Sequence, residues 1–163
     1  MQHRIEQTKD RYVVGMKANM SIQTINQETG NLARQFMPRR HEISTRFGKH
    51  VFSIQDYGNL QIKDVTPQTT FEKWVGVEVV NFDVIPEGME PFILKAGIYV
   101  AFTYKGSMQD FPKSRQYMFQ DWLPNSKYLL DNRAHFEILS EDYSKNLQNI
   151  EEEVWIPIIE KYS

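Results

Sequence analysis

The chain has 163 residues, 40% of them hydrophobic and 25% charged, a balance that fits one globular domain spanning 1–163 with a sizeable core. Nineteen basic against 21 acidic residues leave a formal charge of -2, and no Lys/Arg cluster suggests direct nucleic-acid binding. No apolar run has membrane-spanning length, and Met1-Gln2-His3-Arg4 lacks a secretory apolar segment, so the expected location is the cytoplasm.

The absence of cysteine removes disulfides, thiolate nucleophiles and zinc–thiolate sites. His3, His41, His50 and His135 form no ligand-spaced pair, so neither a metal nor a cofactor is expected. Dinucleotide, Walker and nucleophile-elbow motifs are also missing. Aromatic residues reach 13%, more than a core of this size needs, which hints at a ring-lined pocket.

In chain order, Arg11 to Met20 reads as a short strand. Leu32, Ala33, Phe36 and Met37 carry helical spacing across 27–37, and Pro38 ends or kinks that helix. Val51 to Tyr57 alternates and stops at Gly58, while Phe71 to Phe82 is rich in Val, Phe and Trp; both read as strands. Ile85-Pro86-Glu87-Gly88 supplies a turn. The order then repeats. Gly97 to Lys105 is a strand, and Phe111, Arg115, Met118, Phe119 and Trp122 share one helical face that Pro124 closes. His135 to Leu139 and Glu153 to Ile158 complete the set, with His135 expected at the surface of a strand end.

Each half, about 8–82 and 92–160, is thus strand, helix, strand, strand. Val51-Phe52-Ser53-Ile54 echoes His135-Phe136-Glu137-Ile138, and Glu72-Lys73-Trp74-Val75 echoes Glu153-Val154-Trp155-Ile156, at matching stages. A duplicated chain of this kind is expected to leave a cleft along its pseudo-twofold seam.

Ile85-Pro86-Glu87-Gly88, Ala96-Gly97-Ile98-Tyr99-Val100-Ala101-Phe102, Trp122-Leu123-Pro124-Asn125, His135-Phe136-Glu137-Ile138 and Glu153-Val154-Trp155-Ile156-Pro157-Ile158 follow in that order. Together they resemble the gyrase-inhibitor-like (GyrI-like) family, the effector-binding domain of AraC-type and MerR-type multidrug regulators. The resemblance is strongest over 84–158; the first half, with Phe36-Met37-Pro38, looks most like its integron-associated branch. It implies a duplicated α+β fold with a concave antiparallel sheet, two main helices and a central pocket for lipophilic, often cationic, compounds. In the family a carboxylate on the last strand sits at the pocket floor, and Glu153 takes the matching position. The chain has no room for a helix-turn-helix domain, so any DNA binding is expected from a partner regulator.

Alternation on the last strand separates Glu153 and Trp155 from Val154, Ile156 and Ile158. The aliphatic face suits packing under a helix and the acid-and-indole face a binding surface; Glu72 and Trp74 repeat the pairing. Tyr57 and Tyr104 are candidate walls, with Phe36 and Trp122 as core residues at the pocket edge. A buried carboxylate without a partner is costly, and a lipophilic cation would relieve that cost while stacking on the rings. The leading expectation is a stand-alone binding module for lipophilic, cationic small molecules, without catalytic residues. Two alternatives stay open: a hydrolase of lipophilic electrophiles, with Glu153 as base and Tyr57 or Tyr104 assisting, and a protein-binding role of gyrase-inhibitor type.

Overall fold

A computed structural model describes residues 1–162. The first half runs β1 (His3–Thr8), β2 (Arg11–Met20), α1 (Ile25–Phe36), β3 (Val51–Asp56), β4 (Phe71–Val79) and β5 (Glu90–Leu94). The second runs β6 (Gly97–Gly106), α2 (Phe111–Tyr117), β7 (Tyr128–Leu130), β8 (His135–Leu139) and β9 (Ile150–Glu160). All strand pairs are antiparallel in one sheet ordered β1-β6-β9-β8-β3-β4-β2-β5, with β7 also on β9. The fold class is therefore α+β, as expected. The inner order β6-β9-β8-β3-β4-β2 reads equivalently from either end, and β3 against β8 is the seam between the two halves of the sheet.

Strand alternation gives the sheet two different faces. Val14, Met20, Phe71, Val75 and Val77 pack with Leu32 and Phe36 of α1. Val100, Phe102, Val154, Ile156 and Ile158 pack with Met118, beyond α2. Both helices thus cover the same face. The opposite, outer face carries Phe52, Trp74, Tyr99, Phe136 and Trp155. The aliphatic side of β9 does lie under a helical segment.

Three strands were not anticipated: β1, β5 and β7. The first two are the sheet edges, where half the pattern faces water and periodicity fades, and β5 carries Pro91, tolerated at an edge. β4 also ends at Val79, three residues short of the expected Phe82. Where β2 meets β4, Gly15 is opposite Gly76. A Cβ on Gly15 would sit 2.3 Å from the Val75 carbonyl oxygen, so the close approach needs glycine.

The two helices end differently. α1 opens with Glu28 and closes with Arg34, both favourable to its dipole, and Pro38 tightens the following residues into a 3₁₀ segment, Met37–Glu42. Arg40 and Arg46 then converge on Glu141 at 3.0 and 2.6 Å, tying the first half to the loop between β8 and β9. By contrast, α2 continues into a π-helical turn, Met118–Trp122, before a last turn at Leu123–Asn125.

Candidate functional site

On the outer face Phe52, Phe136 and Trp155, from β3, β8 and β9, stack in a ladder with centroids 5.8 and 5.3 Å apart. The Arg11 guanidinium lies 5.1, 5.8 and 5.5 Å from those three rings, held by two bonds to Glu78 at 2.9 and 3.0 Å. Glu153 accepts from the Trp155 indole at 3.2 Å and from Arg4 at 2.8 Å, and Arg4 also covers the Trp155 ring at 5.4 Å. The other half repeats this chemistry: Glu72 accepts from the Trp74 indole at 3.1 Å, with Lys17 5.5 Å from that ring. A cavity of about 760 Å³ opens here, walled by Phe52, Trp155, Glu153 and the Ser140 to Asn149 loop.

The cation positions on these rings are thus already filled by the protein's own side chains. Partial burial would raise the Glu153 carboxyl, but the bonds from Arg4 and Trp155 outweigh it and hold it below the ordinary value. Each Glu153 oxygen already accepts one bond, Oε1 from the Trp155 indole and Oε2 from Arg4.

The helix face carries a second constellation, at the seam. Gln55 is opposite Lys73 across β3–β4 and opposite His135 across β3–β8, so the three side chains form one row. Glu137, two residues along β8, accepts from the Gln55 amide at 3.0 Å. Glu152 joins from β9, where it is opposite Leu139. All five are buried: Gln55 3%, Lys73 4%, His135 3%, Glu137 9% and Glu152 6% exposed. Phe119 from the π turn stacks on His135 at 5.9 Å, Arg115 covers Phe119 at 4.7 Å, and Tyr57 meets His135 edge-on at 5.2 Å.

Electrostatically this seam is unsettled. Burial pushes Glu152 up to about 8; repulsion from Glu137 adds to the shift and Lys73 opposes it. Burial lowers the Lys73 ammonium against the pull of Glu137 and Glu152, with neither of which it forms a direct ion pair. His135 falls to about 3, through burial first and then Arg115 and Arg133. Among the described residues, Gln55 Oε1 and His135 Nδ1 are buried without a hydrogen-bond partner.

The eight expected site residues therefore divide. Glu153, Trp155, Glu72 and Trp74 lie on the outer face, and Tyr57, Tyr104, Phe36 and Trp122 on the helix face, so they do not line one cavity. Tyr104 is spent on a hydrogen bond to the Ser107 carbonyl and an edge contact with Phe111. Phe36 is fully buried in the α1 core. Trp122 packs on His3, Phe102 and Tyr128, away from the seam. His135 corrects an expectation: it is buried rather than at the surface, because β8 is an interior strand between β3 and β9. Lys73, Glu137 and Glu152 were missed as site residues. Parity was the available signal, since Glu152 shares its face with Val154 and Ile156, and Lys73 with Phe71 and Val75.

Among the described residues no cluster of three or more acidic or histidine side chains is arranged for a metal, and no helix is long and apolar enough to cross a membrane.

The pattern of the GyrI-like small molecule binding domain matches residues 1–159. The transcriptional regulator BrlR of Pseudomonas aeruginosa is 31% identical over 130 residues, 79% of this chain and 46% of the regulator. The chain therefore spans about half the length of that relative. Among solved structures, the integron cassette protein VCH_CASS2 of Vibrio cholerae superposes with a TM-score of 0.66 at 15% identity, covering 96% of this chain and 95% of that one. SAV2435, bound to tetraphenylphosphonium, does so with a TM-score of 0.69 at 13% identity, covering 98% and 94%. Both likenesses speak to the fold.

Proposed function

Because the chain belongs to the GyrI-like small-molecule-binding domain family, we propose that it is an effector-binding module that takes lipophilic, cationic, drug-like molecules into the seam between α1 and α2. The observation that carries this reading is the pair of buried carboxylates, Glu137 and Glu152, on the helix face of the sheet, with Phe119 and Tyr57 packed on His135 beside them. A buried acid with no bonded counter-charge costs several kcal/mol in practice. A cation supplies the missing charge, and each ring adds about 0.5–2 kcal/mol if it lies against the charge. Flat walls discriminate weakly among shapes, which suits broad specificity. The ligand held by SAV2435 is a lipophilic cation, and that favours the same chemistry here. The relation to BrlR extends the reading to a ligand signal passed to a DNA-binding partner.

A second reading keeps the ligand on the outer face, at Glu153 and Trp155; the cavity of about 760 Å³ beside them favours it. Titrating tryptophan fluorescence with cationic and neutral aromatic dyes separates the two. The seam reading expects saturable binding of cations that falls at least tenfold in Glu137→Gln and is unchanged in Glu153→Gln. The reverse pattern moves the site to the outer face, and equal losses for neutral and cationic dyes remove the electrostatic argument.

A further inference from the structure

β1 closes one end of the sheet and has a single neighbour, β6. The Thr103 amide of β6 donates to the Gln2 carbonyl at 3.0 Å, and this bond sets the phase of the strand. Bonded and non-bonded residues alternate along an antiparallel pair. Arg4, Glu6 and Thr8 therefore turn their backbone groups towards β6, while the N–H and C=O of His3, Ile5 and Gln7 point away from the sheet. Exposed edges are ordinarily guarded by Pro, Lys or a bulge. The opposite edge, β5, carries Pro91. β1, His3-Arg4-Ile5-Glu6-Gln7-Thr8, has neither Pro nor Lys, and its register on β6 is unbroken.

This edge is complementary to itself. Two copies of β1 laid antiparallel about a twofold axis at Ile5 put His3 opposite Gln7, Ile5 opposite Ile5 and Gln7 opposite His3. Those are the residues with outward backbone groups, so the ladder continues across the axis. The same register sets Arg4 opposite Glu6 of the second copy, and Glu6 opposite its Arg4. Moving the axis by one residue sets Arg4 against Arg4 or Glu6 against Glu6. An axis between two residues pairs an outward residue with an inward one and closes no ladder.

The side chains agree with that register. Arg4 and Glu6, opposite Ala101 and Tyr99, stand on the outer face, whereas Ile5, opposite Val100, stands on the helix face and is 41% exposed. Arg4 gives Nε to Glu6 and Nη1 to Glu153, and its Nη2 makes no hydrogen bond among the described residues. Nη2 is thus available to a carboxylate arriving from beyond the edge.

We propose that the β1 edge is the contact through which two copies of this chain associate, joining their sheets into one. The inference does not depend on where the ligand sits. A contact of one short strand from each copy is small, so the dimer forms reversibly, with a Kd of about 10–100 μM.

The test is sedimentation velocity of the full chain from about 5 to about 500 μM, a range that brackets that Kd. The wild type is expected to pass from monomer to dimer. Ile5→Pro deletes an outward N–H and spares the ladder to β6, and it should raise Kd at least tenfold while tryptophan emission stays native. Arg4→Glu and Glu6→Arg should each abolish association alone, because like charges then face each other across the axis. Mixed together, the two variants should pair, since every acid again meets a cation. A wild type that stays monomeric throughout overturns the proposal. Unchanged dimerisation in folded Ile5→Pro and Glu6→Arg overturns it as well, because the contact then lies elsewhere, and so does a mixture of folded charge variants that fails to pair. Amide exchange of the wild type needs no variant to fold: the His3 and Ile5 amides should slow as concentration rises, and exchange independent of concentration contradicts the contact.

Discussion

Substituting Glu152 by Gln should change how stability depends on pH, with a sign that can be worked out in advance. A carboxyl raised from its ordinary value of 4.5 to about 8 holds its proton in the folded state over a range where the unfolded chain has released it. It therefore favours folding fully below pH 4.5 and progressively less as pH rises to about 8, at up to 1.4 kcal/mol per pH unit. Repulsion from Glu137 and attraction to Lys73 act on the same charge in opposite senses, and the loss across that window is roughly 2–4 kcal/mol. Gln imitates the protonated acid in shape and hydrogen bonding but has no proton to lose. The variant should match wild type near pH 4.5 and exceed it by about 2–4 kcal/mol at pH 8.5. Urea unfolding followed by tryptophan emission, at half-unit steps, measures this directly. Parallel curves for the two proteins would show that Glu152 is not held in a dry, acidic environment, and the electrostatic account of the seam would fail.

Two other substitutions probe the frame. His135 is lowered to about 3, so wild type should lose stability as pH falls from 6.5 towards 3, and His135→Gln should flatten that limb in acid-denaturation curves. Gly15→Ala should cost about 3 kcal/mol in a urea midpoint, because the new methyl meets the Val75 carbonyl oxygen on the neighbouring strand.

The antiparallel sheet and its two helices were legible because they rest on pattern: two helices with an apolar stripe, each followed by strands, and a Glu-x-Trp on β4 and again on β9. Legibility stopped where a side chain's surroundings come from the other half. Glu151, Glu152 and Glu153 stand as one acidic run, yet Glu152 is swept inward by the alternation that buries Val154 and Ile156. Phase along the strand distinguishes them, placing Glu152 with Val154 and Ile156 and Glu153 with Trp155. His135 looked terminal on its strand, and nothing local says that β8 is flanked by strands from both repeats. The edge strands escaped for a different reason: with one flank in water, β1 carries no apolar period to read.

The π turn in α2 has a consequence for the symmetry of the molecule. Such a turn holds one residue more than an α-helical turn, and one residue corresponds to about 100° of rotation around the axis. Met118 stays in the core while its neighbour Phe119 swings out over His135. α1 has no such insertion, and its Phe36 remains within its own half. The sheet thus offers a packed floor under each helix, while Phe119, which lies over the seam, comes from the second helical segment. On the proposed seam site, substitutions in and just after α2 would retune the ligand's surroundings while the packing beneath α1 stays untouched.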